Sequence, residues 1–246
     1  MAYEVFADYY DRLTENVEYK ARAEYILSLL EKFSHEAGLT LDLACGTGSL
    51  TLELKKLGVD IYGIDSSPDM LSVAHQKADE AGEEILYLCQ KMQSIDLYGT
   101  IDTCLCTLDS INHMVKEADV KKTFERVSLF MNPEGLFVFD VNTPYKHKEV
   151  LRDNVFVFDT DEVYCVWQNN PLEENLTEIS LDFFVPLEDK RFYRFSENFK
   201  ERAYPEETLR EWLSDAGFEV LSVFGDMSFD SPEWDAQRLI FVAKKI

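Results

Sequence analysis

The chain has 246 residues, and 24 basic against 47 acidic side chains give it a net charge of −23. A surface that acidic repels phosphate backbones and anionic lipid heads, which argues against nucleic acid and membrane partners and in favour of small molecules. With 46% of its residues hydrophobic it can bury a sizeable core, yet no run approaches the ~20 apolar residues of a membrane span. The first ten residues lack the basic region and apolar core of a signal peptide, so the expected compartment is the cytoplasm. Cys45, Cys89, Cys104, Cys106 and Cys165 lie mostly in apolar runs, as buried free thiols do. Cys104-x-Cys106 lacks zinc-site spacing, and no metal motif is visible.

In chain order, Tyr19, Ala23, Ile26, Leu27, Leu30 and Phe33 mark an amphipathic helix over 17–33. A short buried strand follows at about 39–45. Small residues Ala44, Gly46 and Gly48 then make a tight turn into a helix at about 48–57. Ligand can approach the turn closely because the glycines carry no Cβ, and the N–H groups opening the helix favour negative charge. Residues 60–65 read as the next strand, with Asp65 at its tip, where a carboxylate can accept both ribose hydroxyls. Ser67, Pro68 and Asp69 open a helix that Gly82 ends. Ile85–Cys89 is a third strand, a fourth lies within 102–109, and Val120–Met131 is a helix. Asn132-Pro133-Glu134-Gly135 reads as a turn before the continuous apolar run Leu136–Val141 expected of a central parallel strand.

The strand–helix alternation then breaks. Residues 154–202 carry period-two runs such as Thr177, Ile179, Leu181, Phe183 and Val185, with turns expected at Asn169-Asn170-Pro171 and Glu188-Asp189. This predicts an antiparallel sheet of three or four strands inserted into an α/β domain. A helix from Pro205 to Gly217 and two strands, Phe218–Phe224 and Arg238–Ala243, finish the chain.

The dinucleotide fingerprint G-x-G-x-x-G is incomplete, because Thr51 stands at its third glycine. The run Asp42-Leu43-Ala44-Cys45-Gly46-Thr47-Gly48 instead resembles the first motif of class I S-adenosylmethionine-dependent methyltransferases. That resemblance implies a Rossmann-like, seven-stranded, mostly parallel sheet with helices on both faces. Residues 1–144 and 205–246 would bind S-adenosylmethionine, and the insertion at 145–204 would cover the substrate side. It further implies that Ala44, Gly46 and Gly48 receive the methionine part and that Asp65 holds the ribose. Ser66 or Met70 would flank the adenine, Leu108 would line the site, and Tyr10 would fold over the cofactor. Asp42 is expected to brace the turn through backbone N–H groups. The acid usual after the third strand is replaced by Lys91-Met92, which cannot accept the adenine amino group, leaving the Met92 backbone or a polar role for Gln90 or Gln93.

Asp109-Ser110-Ile111-Asn112-His113 is similar to a stretch found in members acting on small molecules. Asp109 is the candidate for orienting a substrate amine or hydroxyl, unless it and Asn112 merely cap the next turn. His113 is a candidate base at neutral pH or a structural residue. The expected reaction is methyl transfer to an N, O or C nucleophile of a small molecule. A nicotinamide-dependent oxidoreductase and a non-catalytic cofactor-binding interaction protein are the alternatives. The sequence does not indicate the oligomeric state.

Overall fold

The computed structural model describes residue 7, residues 10–11, and residues 17–173, 175–187 and 191–246. Helix α1 (Tyr19–Lys32) precedes strand β1 (Leu39–Leu43), and the small-residue turn leads into α2 (Ser49–Lys56). After β2 (Asp60–Asp65), α3 (Pro68–Ala81) forms as its local chemistry dictates. The Ser67 side chain accepts from the Met70 N–H, Pro68 occupies the first turn, and Gly82 closes the helix at φ 71°. Strand β3 covers only Tyr87–Cys89, since pairing with β2 begins at Gly63 opposite Tyr87. Strand β4 (Ile101–Cys106) is followed by α4 (Glu117–Phe130), which starts earlier than its apolar face indicates because Glu117 and Asp119 supply an acidic first turn.

Strand β5 runs from Met131 to Asn142 and absorbs the expected turn. Met131 already pairs with Ile101, and pairing resumes at Leu136 opposite Thr103, so Asn132–Gly135 is a bulge inside the strand. A π-helical turn at Lys146–Leu151, which sequence periodicity did not announce, leads to four antiparallel strands. These are β6 (Val155–Asp159), β7 (Tyr164–Glu173), β8 (Leu176–Pro186) and β9 (Phe192–Arg202). Asn169, Asn170 and Pro171 are not a turn: they pair within β7 against Ile179, Glu178 and Thr177. The reversal follows them, where Asn175 takes φ 60°. The expected turn at Glu188-Asp189 lies outside the described residues. Helix α5 (Glu206–Asp215) and strands β10 (Phe218–Gly225) and β11 (Arg238–Lys245) complete the chain.

The main sheet has the order β10-β11-β5-β4-β1-β2-β3, antiparallel only where β11 meets β5 and β10. Its strands are buried on both faces, which explains their unbroken apolar runs. Leu41, Leu43, Phe137, Phe139 and Phe241 pack with Phe124 of α4 and Trp212 of α5 on one side. Leu105, Val138, Ile240 and Val242 pack with Ile26, Leu29, Leu50 and Leu54 from α1 and α2 on the other. The chain leaves β1 toward β2 and later returns on its other side as β4, which opens a crevice at their carboxyl ends. The four-stranded sheet has its own small core of Val163, Cys165, Ile179, Leu181, Phe183 and Phe195. Tyr10 and Met70 pack against that core, so the inserted sheet lies on the crevice side of the molecule. Among the described residues no helix is long and apolar enough to cross a membrane.

Candidate functional site

The turn after β1 is built on left-handed backbone at Ala44 (φ 62°), Gly46 (φ 53°) and Gly48 (φ 71°). The two glycines do different work. A Cβ on Gly46 would meet no atom within 4 Å, so this side of the turn is open. A Cβ on Gly48 would stand 2.6 Å from the Tyr87 hydroxyl and 2.9 Å from Ala74 Cβ, so there the missing side chain lets α2 and α3 close against β3. Asp65, not Asp42, braces the turn: its Oδ2 accepts from Gly46 N at 2.9 Å and its Oδ1 from Ser67 N at 2.8 Å. Each oxygen keeps a second lone pair for a ligand hydroxyl. Asp42 points to the opposite face of the sheet from Leu41 and Leu43, where it accepts from Thr51 Oγ1 at 2.5 Å. Burial pushes its carboxyl up to about 6, against the Thr51 hydrogen bond.

Tyr10 lines a small cavity together with Ala44, Gly46, Thr107, Leu108 and Ser110. Burial, then the neighbouring phenol of Tyr19 and the carboxylates of Asp109 and Asp11, hold its hydroxyl neutral. The adjoining Asp11 is fastened to the turn by Thr47 Oγ1 at 2.7 Å and Ser49 Oγ at 3.1 Å, and by an ion pair with Lys77. Ser66 directly follows Asp65 at the end of β2, and Met70 lies in the first turn of α3. Met92 sits in a single 3₁₀ turn, half-buried, its sulfur 3.8 Å from Cys106 Sγ. Both ends of the Gln90 amide are committed to the Asp96 backbone, at 3.2 and 2.7 Å, so Gln90 does not replace the missing acid.

The segment after β4 is strained and heavily anchored. Leu108 (φ 56°) and Asp109 (φ 51°) are consecutive left-handed residues, and both donate their N–H to Asp140, at 2.8 and 2.7 Å. Arg238 at the start of β11 ion-pairs with Asp140 and, at 2.6 Å, with Asp109. Burial alone would raise the Asp109 carboxyl, but Arg238, then Lys146 and His113, outweigh it and hold it at about 2. Asn112 is fully buried and does more than cap a turn. It donates to the carbonyls of Asn142 (3.1 Å) and Arg202 (3.0 Å) and accepts from Asn142 N (2.9 Å), tying this loop to β5 and β9.

That tie brings the end of β9 over Asp109. His113 rests on Phe199 with ring centroids 5.0 Å apart, and its Nε2 is 3.8 Å from Glu201 Oε1. Glu201 also receives Asn142 Nδ2 at 3.4 Å. Burial, then the nearby Asp109, push its carboxyl up to about 7 against the pull of His113 and Lys146. Asp140, Arg238, Lys146, His147 and Glu201 did not emerge from sequence reasoning. Two of them left a signal. Asp140 interrupts an apolar strand, and Glu201 falls in step with Phe195 and Phe199 on the buried face of β9.

Residues 40–135 match a family model described as a methyltransferase domain. A relative in Geobacillus sp. (strain WCH70), named as a methyltransferase with no stated acceptor, is 32% identical over all of both chains. The crystal structure of an S-adenosylmethionine-dependent methyltransferase from Clostridium acetobutylicum is 32% identical and superposes with a TM-score of 0.90, covering 100% of this chain and 99% of that one. A glycine/sarcosine N-methyltransferase of Parasynechococcus marenigrum is 26% identical over 94% of this chain and 81% of its own length.

Proposed function

Since the chain belongs to the S-adenosylmethionine-dependent methyltransferases, we propose that it transfers the methyl group to a nucleophilic atom of a small molecule, in the crevice between the Gly46 turn and Asp109. The observation that carries this reading is the open cradle at Gly46, bordered by a carboxylate that already holds the turn. The residues present fit S-adenosylmethionine. Ala44, Gly46 and Gly48 would take its methionine part, Asp65 the ribose hydroxyls, and Ser66, Met70 and Met92 the adenine, with Tyr10 and Leu108 closing the cavity.

When bound, the cofactor supplies an activated methyl group on a sulfonium. The protein's own work is then alignment of the nucleophile and exclusion of water. Asp109 suits the first task, being ionised and held rigidly by Arg238. His113, the candidate base, stands at the solvent-facing mouth of the same cluster. The inserted sheet, residues 145–204, is the substrate-side cover of a domain formed by 1–144 and 205–246. Support for this comes from the packing of Tyr10 and Met70 on its core and from Glu201 beside Asp109. The acidic surface favours a cationic or neutral acceptor.

Titration calorimetry with S-adenosylhomocysteine and with NADH, followed by a small-molecule acceptor panel with methyl-labelled cofactor, tests the reading. Binding of the first compound only, with label appearing in a small product, supports it. Tight cofactor binding with no turnover on a broad panel would favour a non-catalytic role. Asp65→Ala should weaken S-adenosylhomocysteine binding by about 1.5–3 kcal/mol, the worth of a charged hydrogen bond.

A further inference from the structure

The acceptor's chemistry is written in the cluster where the β4 loop meets β9. One oxygen of Asp109, one imidazole nitrogen of His113 and one oxygen of Glu201 lie within 4.8 Å of one another. Side-chain exposure falls from 45% at His113 through 18% at Asp109 to 5% at Glu201, so the cluster opens to solvent at one end and is floored by an acid. Behind that floor, His147 is buried with its Nδ1 3.1 Å from Thr177 Oγ1. Its Nε2, 3.7 Å from Glu201 Oε2, has no hydrogen-bond partner among the described residues.

Two kinds of ligand could bring such acceptors together, and they ask for different spacings and different charges. A tetrahedral metal with ligands at about 2.1 Å needs its donor atoms about 3.4 Å apart. His113 Nε2 and Glu201 Oε1 are 3.8 Å apart, between that spacing and the wider one an ammonium asks for, and the three atoms all lie within 4.8 Å of one another. A nitrogen donating three tetrahedral hydrogen bonds of about 2.8 Å spaces its acceptors about 4.6 Å apart. The charges agree. With Glu201 in the ionised form that can take a proton, the carboxylates of Asp109, Asp140 and Glu201 stand against the cations of Arg238 and Lys146, while Arg22 and Asp226 offset each other. One excess negative charge balances a monocation, whereas a divalent ion would leave an uncompensated positive charge in a buried site.

We propose that Asp109, His113 and Glu201 seat a primary ammonium group of the acceptor, and that Glu201 takes one of its protons. The step breaks one N–H bond, forms an O–H bond on Glu201, and leaves the electron pair on nitrogen as the nucleophile. Asp109 is held ionised by Arg238 and stays an acceptor throughout. Glu201 is suited to the exchange because it is desolvated and close to Asp109, with Asn142, Lys146 and the neutral His147 around it. The unpartnered Nε2 of His147 stands 3.7 Å from Glu201 Oε2, and an approach of about half an ångström would let it accept the carboxyl proton once that arrives. The proposal rests on the small-molecule methyl-transfer reading and sharpens it to amines.

The test uses the full chain without cofactor, so that it reads the seat and not turnover. Glutamate carboxyl carbons are labelled with ¹³C, the Glu201 resonance is assigned by its loss in Glu201→Gln, and the protein is titrated with methylammonium chloride. Saturable movement of that resonance is expected, with tetramethylammonium chloride, equal in charge but lacking N–H donors, at least about tenfold weaker. Glu201→Gln, and separately the more exposed His113→Gln, should each weaken methylammonium binding about tenfold, followed through backbone amide shifts. S-adenosylhomocysteine affinity should be unchanged in both variants. Equal responses to the two ammonium ions, or a response to zinc chloride but none to methylammonium, would overturn the proposal. Should the wild-type chain instead fail to bind S-adenosylhomocysteine in the same preparation, the broader methyl-transfer reading fails, whatever the ammonium result.

Discussion

Replacing Gly46 and Gly48 by alanine, one at a time, separates what the turn does for the fold from what it does for the ligand. Both residues are left-handed, at φ 53° and 71°, so either alanine meets a backbone cost of about 1–2 kcal/mol. At position 46 that is the whole cost, because the new methyl meets nothing within 4 Å. At position 48 the methyl arrives 2.6 Å from the Tyr87 hydroxyl and 2.9 Å from Ala74 Cβ. Overpacking of that kind adds about 1–3 kcal/mol. Urea unfolding should therefore give losses of about 1–2 kcal/mol for Gly46→Ala and about 2–5 kcal/mol for Gly48→Ala, with unchanged m values. Calorimetry with S-adenosylhomocysteine should show the reverse asymmetry per unit of lost stability. The Gly46 methyl stands in the open cradle and should cost about tenfold or more in affinity in a protein that is still well folded. Equal destabilisation by the two substitutions, or full affinity in Gly46→Ala, would refute the division of labour drawn from the geometry.

Three further outcomes follow from individual contacts. Asp42 has a folded-state carboxyl near 6 against about 4 in an unfolded chain, so its favourable contribution is complete below pH ~4 and is lost as the pH rises through about 6. Asp42→Asn, which keeps an acceptor for Thr51 without the charge, should raise stability at pH 7.5 by about 1–3 kcal/mol and have little effect at pH 4; a destabilised variant at pH 7.5 would show that burial does not dominate at this carboxyl. Ser67→Ala removes the acceptor of the Met70 N–H and should cost about 1 kcal/mol in thermal or urea unfolding, with no loss meaning that water replaces the cap. Asp65→Asn leaves one acceptor oxygen for two backbone donors, so one N–H of the turn is orphaned; a loss of about 1–3 kcal/mol in unfolding is expected, and wild-type stability would mean the turn holds without this brace.

What could be read directly from the chain was what local chemistry decides. Ser67, Pro68 and Gly82 bound α3 because cap, first-turn and left-handed positions each demand particular residues. The Gly46 turn and the acid at Asp65 were legible for the same reason, being steric and electrostatic requirements met within about twenty residues. Errors arose where tertiary pairing overrode a local signal. Pro171 looks like a turn residue, but β6 pairs with β7 only as far as Gln168, so beyond that point β7 has a free edge where a missing N–H costs little. The Asn132–Gly135 turn was absorbed as a bulge because Met131 had already joined the sheet. Asp109 could be picked out as a candidate, whereas its partner Arg238 lies 129 residues further on and nothing local connects them. Glu201 carried only the weak sign of an acid in step with aromatic residues.

The Asp109–Arg238–Asp140 group raises a sharper question, because a buried ion network is often no more stable than an apolar replacement. Its value lies in the backbone it holds. Leu108 and Asp109 are both left-handed without being glycine, at about 1–2 kcal/mol each, and Asp140 accepts both of their N–H groups. Asp140→Asn offers one acceptor where two donors converge and removes a charge that Arg238 needs, so it should cost about 3–5 kcal/mol, read by urea unfolding. The more telling variant is Arg238→Met. It leaves Asp140 free to hold the two N–H groups but strips Asp109 of its main countercharge, so the Asp109 carboxyl should rise from about 2 as burial acts against Lys146 and His113 alone. If the network exists to keep Asp109 ionised and fixed at the acceptor seat, Arg238→Met should lose methylammonium binding more sharply at pH 5 than at pH 8. A variant equal to or more stable than wild type, with methylammonium affinity intact at both pH values, would reduce the network to a replaceable piece of the core and remove Arg238 from the functional argument.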